Sequence, residues 1–598
     1  MKCYPLLVLF FHCLFYLVKA QNPTTIELKL DDSIGHRINR DVYGCNNWIS
    51  TRPYYLSDSS FIAKYTDLGK PTMRYPGGTP SNYLKLATGW YKTWQGANAN
   101  DSNRVVSFNR GMITNGKADK GEEINKFIDF LMKTGAKSTF VLNLTLDNLS
   151  ETGSMLDSIS VKGAKLDYVE MGNELYYGQY SAAIPDVSDY IKIAKSKASL
   201  VRTKFPNAKI GVLVPSQIYT KENFLPGEDN SQDRQERWYQ ALKKESFYDG
   251  IVIHIYSDVG MDGQVKEEDF LPYQTAYLHA ISHVDSKLVS TFSKLKEGFP
   301  DKEIWITEYH VGGFTGEVRN YRLRYAYLGG LYAATFLIEL FSERQVTLAS
   351  WHSMVQWLKF QDVGGGLLDK KYPFEHKVNY EFFKLFTKPS NNTERFVRAE
   401  FSNILGYAGT EAHSGSFKDV IGGCFYDDSS GYGYLMIINK WENVYDFNIS
   451  DLERSLLGKI NKFTRFAPDT SLGMTSALMS EVGFTKSAID PINGKYHLPP
   501  FSMAVIEFSS DDYLLDLEAF GEGFPLLYPN PSKGTITLDP LDSYISWHIF
   551  NKAGKQVKNG RIVKGQKTIE VGNHKGPLLL VLKTGGGEGS KIFKIIIQ

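Results

Sequence analysis

The sequence predicts an α/β fold: a (β/α)8 TIM barrel followed by a β-sandwich and a small C-terminal β-domain. Three observations carry this. Residues 40–385 alternate short apolar or β-branched runs with segments of 3.6-residue periodicity. Residues 386–510 change to strands separated by Gly, Asn and Asp. After a linker-like stretch at 511–525, residues 526–598 again read as β.

The barrel strands are expected at Val42–Asn46, Thr72–Tyr75, Ser138–Leu144, Tyr168–Gly172, Ile210–Val214, Ile251–Ile255, Glu303–Thr307 and Thr347–Trp351. Between them, Ile124, Phe127, Ile128 and Leu131 fall at helical spacing, as do Val187, Tyr190, Ile191 and Ala194. A longer helical pattern runs from about Tyr321 to Glu343. Strands this apolar suit a parallel sheet covered on both faces. Tyr432–Asn439 and Ser502–Phe508 are the clearest sandwich strands, the second opened by Pro499-Pro500. An early strand, Thr25–Leu30 within residues 21–39, is expected to join that sandwich.

The chain has 598 residues, too many for one domain. Lys+Arg 67 against Asp+Glu 66 leaves net charge +1, so no global field favours nucleic acid or another polyanion. Lys2, the apolar run Pro5 to Val18 and Val18-Lys19-Ala20 read as a signal peptide over residues 1–20, cut before Gln21. No later stretch is long and apolar enough to anchor the mature chain, so a secreted or cell-surface protein is expected. Cys45 and Cys424 remain after that cut, either paired or as two buried thiols. No Cys/His cluster has zinc spacing, and no nucleotide-binding glycine motif sits between strand and helix. No metal or cofactor is expected.

Glu174 and Glu308 each follow an expected strand, the fourth and the seventh. Barrel active sites form at the C-terminal strand ends, so both carboxylates face one mouth. A carboxylate pair there is what glycosidic bond cleavage needs: one acid/base and one nucleophile or base. Asn173 supplies an amide for a sugar hydroxyl beside the bond. Arg74 on the second strand can hold a neighbouring carboxylate ionised, or serve as an ordinary barrel ion pair. His254 and Tyr256 alternate on the sixth strand and so share a face, next to the seventh. Asn46 and Trp48 follow the first strand, Trp90 and Trp94 lie after the second, Tyr176 and Tyr177 adjoin Glu174, and Trp351-His352 end the eighth. Of these, Asn46, Tyr177 and Trp351 are the further candidates for substrate binding, Trp351 as a sugar platform.

Glu170-Met-Gly-Asn173-Glu174, Trp305-Ile-Thr-Glu308 and Asp249-Gly-Ile-Val-Ile-His254-Ile-Tyr256 together resemble glycoside hydrolase clan A, the 4/7 superfamily. Arg74-Tyr-Pro-Gly-Gly78 resembles the second-strand motif of its arabinofuranosidase, xylosidase and β-glucuronidase branches. The resemblance spans about residues 25–510 and implies Glu174 as acid/base, Glu308 as nucleophile and retention of configuration. Leu-Tyr-Tyr-Gly after Glu174 matches no one branch well enough to name a sugar. The substrate expected is a plant or algal polysaccharide or its oligosaccharides. The alternative is a non-catalytic surface glycan-binding protein on the same scaffold. Tyr528-Pro-Asn-Pro-Ser-Lys-Gly534, Ile549-Phe-Asn-Lys-Ala-Gly-Lys555 and the ending Lys591–Gln598 resemble the C-terminal sorting domain of type IX secretion in Bacteroidetes. That resemblance implies the type IX secretion machinery as a partner. Gly576-Pro-Leu-Leu departs from the aromatic usual there.

Overall fold

The computed structural model describes residues 23–30, 35–47, 53–116, 122–216, 231–257, 270–311, 323, 326–355, 359–360, 363–364, 366–369, 373–409, 415–427, 430–469, 484–510, 526–528, 535–539, 544–551, 555–562, 568–572, 576–584 and 590–597. The expected signal peptide, Trp48, the expected linker 511–525 and residues 529–534 lie outside the described residues.

Eight parallel strands close into a barrel. They are β1 (Gly44–Asn46), β2 (Thr72–Tyr75), β3 (Ser138–Leu142), β4 (Tyr168–Met171), β5 (Lys209–Leu213), β6 (Gly250–Ser257), β7 (Glu303–Val311) and β8 (Val346–Trp351). Each pairs with its sequence neighbours, and β8 returns to β1 through Ser350–Gly44 and Trp351–Cys45. All eight expected strands are present, most of them short β-branched or aromatic runs that can be buried on both faces, while β1 keeps only Gly44–Asn46 because Arg40–Val42 forms a 3-10 turn. Two run further at their C-terminal ends than the sequence suggested. β6 extends two residues past Ile255, which keeps Tyr256 on the strand as its alternation with His254 implied, and β7 four residues past Thr307, which places Glu308 inside its strand rather than beyond it.

A large side chain packs inside the lower barrel. The Trp305 indole lies against Tyr168 of β4, ring centroids 5.1 Å apart and nearly perpendicular. It reaches across β6 and β5 only because both offer glycine: a Cβ on Gly211 would sit 2.4 Å from the indole, and one on Gly250 2.5 Å. Close packing leaves no slack for either methyl.

The long helical pattern forms a helix over Tyr327–Ser342, and its side chains from Tyr327 to Phe341 are all buried. A helix apolar on every side needs cover on every side. The barrel covers one flank, and an antiparallel sheet covers the other. That sheet runs in the order Glu27–Leu30, Arg395–Ser402, Val420–Asp427, Tyr432–Asn439, Ser502–Ser510, Gly458–Pro468, Phe484–Ala488. Strand alternation splits its residues between two cores. Phe396, Phe425, Tyr434, Met436 and Ile438 join the barrel core, whereas Val397, Cys424, Leu435 and Ile437 face a second core with Phe447 and Leu498 of the smaller sheet. Phe341 of the helix meets Phe425 edge-on at 5.0 Å. Burying such rings contributes about 1.5–3 kcal/mol each. Cys45 and Cys424 are two buried thiols in different cores and form no disulfide with each other.

Residues 511–598 form a separate compact unit. Within it, a three-stranded and a four-stranded antiparallel sheet contribute Ile536, Trp547, Ile549, Ile569, Leu580 and Leu582 to one apolar core. Among the described residues, no helix is long and apolar enough to cross a membrane.

Candidate active site

A bulge creates the centre of the barrel mouth. β6 and β7 pair Ile253 with Ile306 and then His254 with Glu308, leaving Thr307 as an extra residue. Successive strand residues point to opposite faces. Trp305 and Thr307 point inward by that rule, and Glu308 would point outward. The extra residue resets the parity, so Thr307 and Glu308 both face the interior, a common use of bulges beside functional sites.

Arg74 of β2 lies at the floor, fully buried. Its Nε and Nη2 donate to the two oxygens of Glu170 on β4, each at 2.8 Å. Its Nη1 donates to Glu308 Oε1 at 2.8 Å, and Nη2 also donates to Asn173 Oδ1 at 3.0 Å. The guanidinium thus fixes three side chains, from β4, β7 and the loop after β4. Its own pKa is raised: burial works against the charge, but Glu170 and Glu308 outweigh it. Tyr256 donates to Glu308 Oε2 at 2.5 Å. Burial alone would push the Glu308 carboxyl upward. His254, His352 and Arg74 beside it, together with the Tyr256 hydrogen bond, hold it well below the usual carboxylate range.

Glu174 stands opposite, at the rim, with its side chain 19% exposed. Its backbone is left-handed, with φ 50°, following Gly172 at φ 89°. Left-handed backbone costs a non-glycine residue about 1 kcal/mol or more, and such strain gathers at functional sites. The loop is held by Asn82, whose amide donates to the Asn173 carbonyl at 2.7 Å and accepts from the Asn173 N–H at 3.3 Å. Asn143 in turn ties down the segment that carries Asn82, donating to the carbonyls of Ser81, Asn82 and Leu84.

His254 bridges the two carboxylates. Its Nδ1 lies 2.9 Å from Glu174 Oε1 and 3.7 Å from Glu308 Oε2. Burial opposes its charged form, yet the Glu308 charge and the Glu174 contacts raise its pKa overall. An oxygen from each glutamate and a His254 nitrogen all lie within 4.8 Å of one another. This is the one His/acid trio close enough to chelate a cation among the described residues. A cation of the protein's own, Arg74, already occupies the charge-balancing position beneath it.

The structure gathers Glu174, Glu308, Asn173, Arg74, His254 and Tyr256 into one site. Asn46 is in register with Arg74 and buried, and neither polar atom of its amide finds a partner among the described residues. The Asn173 Nδ2 is likewise unpartnered. Tyr177, 38% exposed, lines a cavity of about 220 Å³ with Glu174, Tyr176, Gln235, His254 and Tyr256. Trp351 departs from its expected place. It is 0% exposed, wedged against His310 at 4.0 Å, Tyr309 and Phe383 at 5.3 Å each, so neither ring face is open to a sugar. Its strand end is sealed by the helix over Val378–Asn392, which supplies Phe383. Trp94 is a loop core residue, packed on Tyr83 and Tyr180. A larger cavity of about 660 Å³ lies between barrel helices and the sandwich, beside Asp285, Glu339, Arg398 and Tyr407, and holds neither catalytic candidate.

Glu170 and Thr307 were missed as site residues. Glu170 carried a signal: a charged residue within a strand otherwise fit for full burial needs a partner. Thr307 carried none, because its role depends on the bulge.

Residues 526–598 match the family model described as the secretion system C-terminal sorting domain. No curated protein sequence matches the chain. Among solved structures, a family 51 arabinofuranosidase from Xanthomonas axonopodis pv. citri aligns over 81% of this chain and 100% of its own, at 13% identity and TM-score 0.57. An α-L-arabinofuranosidase from Thermotoga maritima, solved with arabinose, aligns over 81% and 100% at 15% identity and TM-score 0.55. A glycoside hydrolase family 44 endoglucanase from Clostridium acetobutylium ATCC 824 does so at 13% identity and TM-score 0.52, with the same coverage. The chain therefore carries the fold of these glycoside hydrolases, followed by a segment that matches a secretion sorting domain.

Proposed function

We propose that this protein is a secreted retaining O-glycoside hydrolase, with Glu308 as nucleophile and Glu174 as acid/base. The observation that carries this reading is the closeness of the two carboxylates, whose nearest oxygens lie within 4.8 Å of each other and leave little room for a water between them. Retaining enzymes hold the two groups about 5–5.5 Å apart, whereas inverting ones need roughly 6.5–9.5 Å to admit a water. The division of environments supports the same roles. Glu308 is kept ionised by Arg74 and Tyr256, as a nucleophile requires, and Glu174 sits at the rim where a leaving group departs.

In the first step Glu308 bonds to the anomeric carbon as the bond to the leaving oxygen breaks, and Glu174 gives that oxygen its proton. Asn173 Nδ2 is free to donate to a hydroxyl beside the reacting carbon. Once Glu308 carries the sugar its charge is gone. Glu174 then takes a proton from water, which displaces Glu308 and restores the starting configuration. The substrate class is a plant or algal polysaccharide or its oligosaccharides, and the route to it is export through the type IX machinery, served by residues 526–598.

Screening the purified chain against aryl glycosides and polysaccharides tests this, with reducing ends and product masses as readouts. Glu174→Gln should lower turnover roughly 10²–10⁴-fold, the span of acid/base catalysis. Glu308→Ala should lower it by at least as much. Near-normal turnover in either variant would overturn the assignment. Silence across the panel with glycan binding retained would favour the surface-binding alternative.

A further inference from the structure

Glu170 is a fully buried carboxylate for which double displacement has no use. Both its oxygens accept from Arg74, which makes the group an acceptor at each oxygen. Its Oε2 also lies 3.3 Å from the Thr307 hydroxyl, and that hydroxyl lies 3.3 Å from Nε2 of His254. The other ring nitrogen, Nδ1, faces Glu174 at 2.9 Å. Four side chains from β4, β7, β6 and the β4 rim therefore form one continuous chain.

We propose that Glu170 is a positioning residue: through Thr307 it pins His254 with a proton on Nε2, leaving Nδ1 to share one proton with Glu174. The reasoning is a count of donors. A threonine hydroxyl carries one proton and can donate to one partner at a time. Glu170 only accepts, so the Thr307 proton goes to it. The Thr307 oxygen then faces Nε2 as an acceptor, and Nε2 must bring the N–H. A hydrogen bond with an obligate acceptor at one ring nitrogen fixes the tautomer of a histidine, and the Thr307 contact does so at Nε2. Nδ1 is left without an obligatory proton. A single proton in the 2.9 Å contact, on Oε1 or on Nδ1, leaves the pair neutral overall. That is the proton Glu174 hands to a leaving group. The charged and titratable groups around the ring are Glu174 and Glu170 from the β4 side, Glu308 on β7 and Arg74 on β2. Tyr256 follows on β6, and His352 packs edge-on against it.

The catalytic consequence rests on the glycosidase reading, but the tautomer does not, so the two are tested separately. Heteronuclear NMR of the full chain carrying isotope-labelled histidine reads the tautomer directly, with His254→Asn identifying the resonance. Wild type should show His254 protonated on Nε2. Thr307→Val keeps the side-chain shape, removes the hydroxyl and should let the Nδ1–H form appear. Glu170→Gln should do the same, and Thr307→Val stands alone should that buried change impair folding. The same His254 pattern in wild type and Thr307→Val, or a bare Nε2 in wild type, overturns the proposal. On an aryl glycoside the chain cleaves, Thr307→Val should lower kcat about 10-fold or more for a phenyl leaving group. It should leave a dinitrophenyl glycoside, which departs without a proton, nearly unchanged. Equal losses on both overturn the proposal. A responsive His254 in a chain that cleaves no glycoside supports the pinning and removes the hydrolase reading instead.

Discussion

Replacing Arg74 by Met tests the architecture of the mouth without any substrate. The side chain makes four hydrogen bonds, two to Glu170, one to Glu308 and one to Asn173, at 2.8–3.0 Å and with no exposure to water. Met keeps much of the volume and removes every donor. Glu170 and Glu308 are then left as buried carboxylates without their cation, and removing one partner of a buried ion pair costs about 3–5 kcal/mol. Folding stability at pH 7 should therefore fall by about 4 kcal/mol. The sign of the pH dependence follows from Glu308, whose carboxyl is held below its ordinary range in the folded protein. Such a group stabilises the fold above its unfolded pKa, and that contribution drains away as the pH falls through the folded value. The gap between wild type and Arg74→Met should accordingly be full at neutral pH and narrow steadily below about pH 4, near the unfolded carboxylate range. Urea unfolding followed by tryptophan fluorescence, at pH 7 and again at acid pH, measures both numbers. Equal midpoints at neutral pH, or a gap that does not shrink in acid, would refute the ion-pair account.

Gly211→Ala should cost about 1–3 kcal/mol by forcing a methyl into the Trp305 indole, read in the same urea experiment; a change within error would mean that the indole has room to move. Glu174→Gly should be more stable than Glu174→Ala by about 1 kcal/mol, because both lose the carboxyl and only alanine resists φ 50°; equal stabilities would argue against a left-handed residue there. Azide should restore turnover of Glu174→Ala on an activated aryl glycoside and trap a glycosyl azide, and no adduct by mass spectrometry would count against the acid/base role. Removing residues 511–598, a separate compact unit, should leave hydrolysis intact and strand the chain in the periplasm, as followed by cell fractionation. Unchanged surface delivery would defeat the export assignment.

The barrel was legible because its strands are local objects. A run such as Ile251–Ile255 or Tyr168–Met171 declares itself by composition alone, and eight of them with helices between leave few ways to bury the sheet. Glu174 and Glu308 were legible for a related reason: strand position fixes which end of the barrel a residue reaches. The same logic found Arg74, His254 and Tyr256. It failed at Trp351, whose position at a strand end says nothing about the helix over Val378–Asn392 that seals it.

By itself the sequence determined the strand order, the end of the barrel where the carboxylates meet and the presence of a terminal segment of separate character. Tertiary structure alone decided which way Glu308 points. Pattern alone cannot locate one unpaired residue between two strands 53 positions apart, and that residue, Thr307, turns Glu308 toward Arg74. It also decided the pairing of Arg74 with Glu170 across 96 residues. Composition registers a buried charge as a need for a partner, but the partner is chosen by three-dimensional proximity, which only the closed barrel supplies.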